Sequence, residues 1–288
     1  DWTLEAAPAV AADLDVALFR RDMADQLAAQ ARSQGKKARV QVKIDTGMGR
    51  LGLLPPEVLP FLDYLQGLPE LELTGLISHF AASDWSDRSF TEQQLRQFQE
   101  LVGQARARGW PTLASHIANS AALLDVHRFH LDMVRAGISL YGSPPSGELP
   151  LPVELRPVMS FRTQVLQLKD LPAGASISYS RTYIAPSPLR LAVLPVGYCN
   201  GDSRMLSNRG WGLIHGRRAL IRGRVCMNLT MVEVTDIPGV REGDIVTLLG
   251  RDGSEEICAD DLAGWGQTIS YEVHCLLGNS NYRRYIGE

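Results

Sequence analysis

The segment VKIDTGMGRLG (42–52) sets a lysine, an aspartate and an arginine around three glycines. Alternation along 38–45 turns Val40, Val42 and Ile44 to one side and Gln41, Lys43 and Asp45 to the other. In a β/α barrel the chemistry sits at the C-terminal strand ends, which puts Lys43 and Asp45 inward with Arg50 just beyond. Gly47, Gly49 and Gly52 would let the backbone approach a ligand closely. A tight turn closed by a structural ion pair suits the same residues, but three ionisable groups aimed into a barrel favour a site. SHFAASD (78–84) closes another strand with His79 and Asp84, although a lone His in an apolar strand is more often a core residue. In HIANSAA (116–122), Asn119 and Ser120 mark a strand-to-helix junction. Such a junction either binds an anion on its backbone N–H groups or is simply capped by Ser120. MVRAGISLYG (133–142) carries Arg135 inside an apolar strand, where a charge needs a partner. That partner is a buried counter-ion, or a phosphate held together with the N–H groups of Gly137 and Ile138. A second group follows later: Tyr179 in ISYSRTY, Tyr198 and Arg204 in VGYCNGDSR, Arg224, Met227 and Asn228 in GRVCMN, and Tyr271 in TISYEV. Each of these tyrosines taken alone reads as an amphipathic packing residue.

The elements that position these residues come in regular order. LDVALF (14–19), ARVQVKID (38–45), LTGLISHF (73–80), TLASHIANS (112–120) and MVRAGISLYG (133–142) read as five strands. Helices are predicted over 20–34, 55–66 and 89–109, the last with a stripe of Phe90, Leu95, Phe98, Leu101 and Val102, and a short one over AALLDVH. Strand alternating with helix reads as a parallel sheet or barrel. Five prolines in 142–157 mark a boundary. Beyond it, short strands at 159–169, 190–198, 211–227, 231–237 and 244–250 predict a mostly β domain, with helix only at 260–266 and after. The domains expected are 1–150 and 151–288.

Composition excludes several classes. The chain has 288 residues, 45% apolar and 21% charged, with a net charge of −3. That argues against nucleic acid or an anionic membrane as partner, since both need a clustered basic surface. No apolar run reaches the ~18–20 residues of a membrane span. Residues 1–12 carry no basic region like that of a signal peptide. Cys199, Cys226, Cys258 and Cys275 form no CxxC pair and no zinc spacing, so no metal site is expected and a reducing, cytoplasmic setting fits.

Over nearly the whole chain and in order, these motifs resemble the alanine racemase family, which uses pyridoxal 5′-phosphate. The resemblance is carried by VKIDTGMGRLG, SHFAASD, ANSA, VRAGISLYG, PVMSFRTQV, the ISY and TY of ISYSRTY, VGY, GRVCM and TISYE. It implies an α/β fold: the C-terminal five strands of a (β/α)8 TIM barrel followed by a mostly β domain. It implies that Arg135 hydrogen-bonds the cofactor ring nitrogen, that Ser120, Gly137, Ile138 and Tyr271 contact its phosphate, and that His79 bridges toward Arg135 and a catalytic Tyr179. Arg50 then stands beside the cofactor's phenolic oxygen and the substrate carboxylate, and Lys43 is the lysine that many members carry N-carboxylated. Met227 and Tyr198 meet substrate, while Tyr198 also joins Asp84, Arg204, Arg224 and Ile269 at the entryway. The implied reaction is two-base racemisation of L- and D-alanine, supplying D-alanine for peptidoglycan, in a head-to-tail homodimer whose Tyr179 and Met227 cross to the partner.

Some features depart from the family pattern. The lysine that anchors the cofactor and acts as the second base lies in a KANAYGHG-like motif, which residues 1–288 do not contain. Lys36 and Lys37 do not match it. The anchoring lysine is therefore expected on an N-terminal segment, either a separate chain or one cleaved away. Asn228 stands where these enzymes usually have Asp, and CNGDSR replaces an ADG-type run. The alternatives are a serine or broad-specificity racemase, a non-catalytic fragment, and a barrel-only cofactor-binding protein, the last opposed by the β domain.

Overall fold

A computed structural model describes residues 2–125, 127–147 and 149–287. The chain divides into two compact units, Asp1–Ser139 with Pro144–Glu154, and Leu140–Ser143 with Leu155–Glu288.

The first unit is built on four parallel strands in the order β1 (Val16–Leu18), β2 (Ala38–Lys43), β3 (Leu71–Ile77) and β4 (Ala114–His116). Val40, Val42 and Ile44 are fully buried under the helices α2 (Arg21–Ser33), α3 (Pro55–Leu65) and α4 (Ser89–Ala107). These helices offer matching stripes, Met23, Leu27 and Ala31 from α2 and Leu95, Phe98, Leu101 and Val102 from α4. Gln41, Lys43 and Asp45 stay on the opposite, polar face, as the alternation requires.

Three expectations need correction. Residues 133–142 form no strand. The N–H of Arg135 donates to the carbonyl of Ala118, but those of Gly137 and Ser139 donate to the Ser120 hydroxyl. A side chain thus takes the place of a neighbouring strand, and the segment ends in a 3-10 turn at Ile138–Tyr141. Four strands, not five, make the ladder. Phe90 is not a core residue of α4. It is 39% exposed, and its ring covers Gly47, where an added Cβ would lie 2.7 Å from the ring. The sequence reading also placed no element over α1 (Trp2–Ala11). Lys36 secures this helix, its ammonium bonding the carbonyls of Val10 and Ala11 at the helix end and pairing with Asp13. A short α5 (Ser120–Asp125) follows β4.

The second unit is mostly β. One sheet contains β5 (Phe161–Gln164), β10 (Trp211–Ile214), β11 (Arg217–Leu220), β13 (Ile245–Asp252) and β14 (Glu255–Ile257). Another has the order β12 (Thr230–Glu233), β9 (Leu189–Leu194) and β6 (Gln167–Leu171). A small hairpin joins β7 (Ser176–Ile177) to β8 (Tyr183–Ile184). Helices α6 (Ala259–Gly266) and α7 (Ser270–Ser280) pack on the main core beside Leu206, Leu248 and Ile257. Among the described residues no helix is long and apolar enough to cross a membrane.

Phe98 is fully buried at the centre of the first unit's core. Phe98→Ala is expected to cost ~3–5 kcal/mol, transfer plus cavity, read as a lower midpoint in urea unfolding of that unit.

Candidate active site

The loop after β2 is organised by Asp45. Its Oδ1 accepts the N–H groups of Gly47, Met48 and Gly49 at 2.9, 2.8 and 3.1 Å, and its Oδ2 accepts that of Arg50 at 3.1 Å. Burial raises this carboxyl, but the four donors outweigh burial and hold it below the usual range. Asp45 therefore ties its own loop, and among the described residues it forms no ion pair with Lys43, so the tight turn is closed by backbone donors. Gly52, at φ 132°, lets the loop close on β2, since a Cβ there would lie 2.7 Å from the Asp45 nitrogen.

Arg135 stands at the centre of the polar face. Its Nη1 donates to Nδ1 of His116 at 2.5 Å, and its Nη2 donates to the carbonyl of Ser78 at 2.7 Å, to that of Ile117 at 3.3 Å and to Nδ1 of His79 at 3.2 Å. A guanidinium only donates, so both Nδ1 atoms are acceptors and both imidazoles carry their proton on Nε2. That of His116 then donates to Oε1 of Gln41 at 2.6 Å, and Gln41 in turn donates to Asp15 at 3.2 Å. Burial first, then the charge of Arg135, then that of Lys43, lowers both histidines to about 4. Both are neutral at physiological pH. Among the described residues no carboxylate pairs with Arg135.

Lys43 shares this face. Burial, then Arg135, then Arg50, lowers its ammonium to about 8, with Asp45 opposing. Arg50 is exposed and acts on Lys43 and His79 by charge. Asp84 does not figure among the charges on His79; its carbonyl accepts from Ser146. Below the charged cluster, Gln94 is fully buried, donating to Thr46 and to the His79 carbonyl while accepting from Ala81. Thr46 also bonds Ser78 at 2.8 Å. This layer fixes the backbone at His79.

Ser120 and Gly137 come together, the N–H of Gly137 lying 2.8 Å from the Ser120 hydroxyl. Ile138 beside them is buried. The cap of α5 is Asn119, not Ser120: its Oδ1 accepts from Ala122 and from Ser83. The Ser120 hydroxyl is left for residues 137–139, where it also meets Ser139.

In the second unit, Tyr179 is 69% exposed on a turn in which Ser178, Ser180 and Arg181 all have positive φ. Two contacts hold that conformation. The Ser178 hydroxyl donates to the Arg224 carbonyl at 2.6 Å, and Gly223, at φ 77°, packs where a Cβ would lie 2.6 Å from the Ile177 carbonyl. The adjoining loops are stitched by backbone, the N–H of Tyr198 donating to Cys226 and that of Cys199 to Met227. Tyr179, Arg224, Met227 and Tyr198 are thus tied to one edge of this unit. Met227 and Asn228 are exposed. Arg204 is exposed beside Ser203, and Ile269 and Tyr271 stand at the start of α7.

Sequence reasoning missed Gln41, His116, Thr46, Ser78 and Gln94. Gln41 was legible as a polar side chain on the inward face of β2, and Gln94 as an amide within an apolar stripe. His116 gave no signal beyond lying in HIANSAA.

Residues 3–145 match the alanine racemase N-terminal domain and 158–285 the alanine racemase C-terminal domain. An alanine racemase of Syntrophobacter fumaroxidans is 45% identical over 281 residues, covering 98% of this chain and 75% of the relative. One of Halothermothrix orenii is 40% identical over 273 residues, covering 95% and 72%. The crystal structure of alanine racemase from D-cycloserine-producing Streptomyces lavendulae superposes with a TM-score of 0.93 at 34% identity, covering 98% of this chain and 75% of that one. That of the Bacillus anthracis enzyme with bound L-Ala-P gives 0.86 at 33%, covering 94% and 70%. The fold is an α/β barrel of the TIM type followed by a β domain. The chain belongs to the alanine racemase family, and it spans roughly three-quarters of the length of these relatives.

Both imidazoles should stay neutral in NMR titrations down to about pH 4. Between there and the ordinary 6.5 the unfolded chain binds more protons than the folded one. Stability contributed by the pair is therefore complete above that window and declines as pH falls through it. Arg135→Gln should raise both values partway, because burial, the larger cause, remains.

Proposed function

We propose that the protein interconverts L- and D-alanine with pyridoxal 5′-phosphate, supplying D-alanine for peptidoglycan. The observation that carries this reading is Arg135, a half-buried guanidinium backed by two neutral histidines and, among the described residues, by no carboxylate. It suits an unprotonated ring nitrogen, because a group that only donates leaves that nitrogen an acceptor. The remaining groups fit as well. Ser120, Gly137 and Ile138, with Tyr271 of the β domain, would hold the phosphate. When bound, the cofactor supplies the electron sink that acidifies the substrate Cα–H.

The chain's own residues do the rest. Arg135 stays charged and keeps that sink moderate. Arg50 pairs with the substrate carboxylate, and Met227 and Tyr198 bound the substrate. Tyr179 moves the proton at Cα of the L-enantiomer, with His79 between it and Arg135. Asp84, Arg204, Arg224 and Ile269 line the approach. Of the chain's four lysines, Lys36 secures α1, Lys37 and Lys169 are exposed, and Lys43 lies among cations. We assign the second base to none of them.

At about 8, Lys43 is partly neutral near physiological pH. Its amine can then add to carbon dioxide, forming a carbamate and releasing a proton. The product is an anion beside Arg50, which it would orient. Loading with ¹³C-bicarbonate should give a carbamate NMR resonance that Lys43→Arg abolishes.

The exposed Tyr179 and Met227 support a head-to-tail dimer in which each chain completes its partner's site. The test uses the native enzyme. Tyr179→Phe should lower racemisation about 10²–10⁴-fold, and Arg135→Gln should also be defective. A hybrid dimer of the two variants should recover one working site, that with a native Arg135 from one chain and a native Tyr179 from the other. A hybrid no more active than its parents would overturn the dimer arrangement. Full alanine racemisation by Tyr179→Phe itself would overturn the assignment of the base.

A further inference from the structure

The second unit contains a cavity of about 410 Å³ that the proposed reaction does not use. Its walls are apolar in larger part, from Phe161, Leu206, Leu248, Leu262 and Leu277, with Ser203, Gln267 and Thr268 among the polar members. One carboxylic acid, Asp202, borders it at 5% exposure. Among the described residues lining it none is basic, and Glu272 is the other acid.

Asp202 is held there by its neighbours. Its N–H donates to the Gly197 carbonyl. Gly201 just before it, at φ 85°, packs so closely on α7 that a Cβ would lie 2.6 Å from the Leu276 carbonyl carbon. Asn200 and Asn281 cross-link the same loop to the end of that helix. The backbone at Asp202 is therefore fixed at the cavity wall. The Asp202 Oδ2 accepts from the Thr230 hydroxyl at 2.6 Å, a neutral donor, and among the described residues no cation acts on it. Burial pushes the carboxyl up to about 6, which leaves it largely ionised at physiological pH. A buried carboxylate with no countercharge is strongly disfavoured unless a cation meets it. The volume lies in the range of small-molecule sites, roughly 300–1,000 Å³. One ionised oxygen donor beside a largely apolar wall suits an organic cation, whose charge meets the acid and whose body meets the leucines.

We propose that this cavity binds a small organic cation, an ammonium group on a compact apolar body, with Asp202 as its counter-ion. Alanine itself does not suit it, because the amino acid's carboxylate would enter an apolar space beside a second carboxylate. The site lies between the loop that carries Tyr198 and Arg204 and the helix that carries Tyr271.

The test uses the holoenzyme and N,N-dimethylbenzylamine, a tertiary amine that is protonated at neutral pH and cannot condense with the cofactor's aldehyde. Benzyl alcohol and phenylacetate serve as neutral and anionic counterparts. Calorimetry should show saturable binding of the amine, at least about tenfold tighter than that of either counterpart. Asp202→Asn should remove that preference while leaving the alcohol's binding unchanged. Should that variant fold poorly, the ¹³C-methyl signal of Met205, which borders the cavity, provides a second measure in the native protein. It should shift with the amine and not with phenylacetate. No saturable amine binding, equal binding of amine and alcohol, or an amine preference that survives Asp202→Asn would each overturn the proposal.

Discussion

The charged face of the barrel unit depends on a half-buried guanidinium that, among the described residues, has no carboxylate partner. Removing Arg135 from water is costly, and the chain offsets that cost with four acceptors: two imidazole nitrogens and two backbone carbonyls. A carboxylate would have met the same need with a stronger bond. It would also have neutralised the charge and occupied the donor directions. Neutral acceptors leave the full positive charge in place, and burial first, then that charge, lowers His79, His116 and Lys43 together. The nearest acid on this strand, Asp45, is spent on four backbone donors of its own loop. The face as a whole is thus short of anions. A phosphate, a carboxylate and a carbamate are the groups that would balance it.

The β domain meets a different requirement, presentation of a phenol at the surface. Three non-glycine residues with positive φ around Tyr179 cost of order 1–3 kcal/mol each unless their surroundings enforce them. The surroundings here are specific: the bond from Ser178 to Arg224 and the close approach of Gly223. The same segment ties Arg224 to Tyr179, and the next loop ties Met227 to Tyr198 through main-chain bonds. Side chains that face outward are therefore anchored by the backbones behind them.

The sequence made some of this legible and hid the rest for identifiable reasons. Alternation along β2 placed Lys43 correctly because one face of that strand is fully buried, which fixes which residues point which way. The stripe of α4 was legible for the same reason, except at Phe90, whose ring is used to cover Gly47. Residues 133–142 read as a strand because their apolar run carries no sign that Ser120 would take their N–H groups. Gln41, His116 and Gln94 were missed because a single sequence does not tell a buried amide from an exposed one; only their shared connection to Arg135 and to the His79 backbone gives them weight. Asp45 was legible as a residue on the polar face but not as the one that ties the loop, because a single sequence does not show that four backbone N–H groups converge on its carboxylate.

The titratable groups on the barrel face also limit who can move the proton. Lys43 lies between two arginines, and His79 and His116 are so depressed that they are poor bases near neutral pH. Each histidine, moreover, has its Nδ1 lone pair already engaged by Arg135, and His116 has its remaining N–H engaged by Gln41. The tyrosine of this unit, Tyr64, is bonded to Asp25 on the helical side. The barrel face is therefore equipped to bind anions and hold a donor against a nitrogen, and not to abstract a proton. A base must come from other elements. On the proposed reading that base is Tyr179 of the β domain, exposed on a turn held by the Ser178–Arg224 bond and the close approach of Gly223. Burial and charge act together here: half-burial lowers the groups of the barrel face first, and the positive potential of Arg135 lowers them further, so a face that suits an anion carries weak bases of its own.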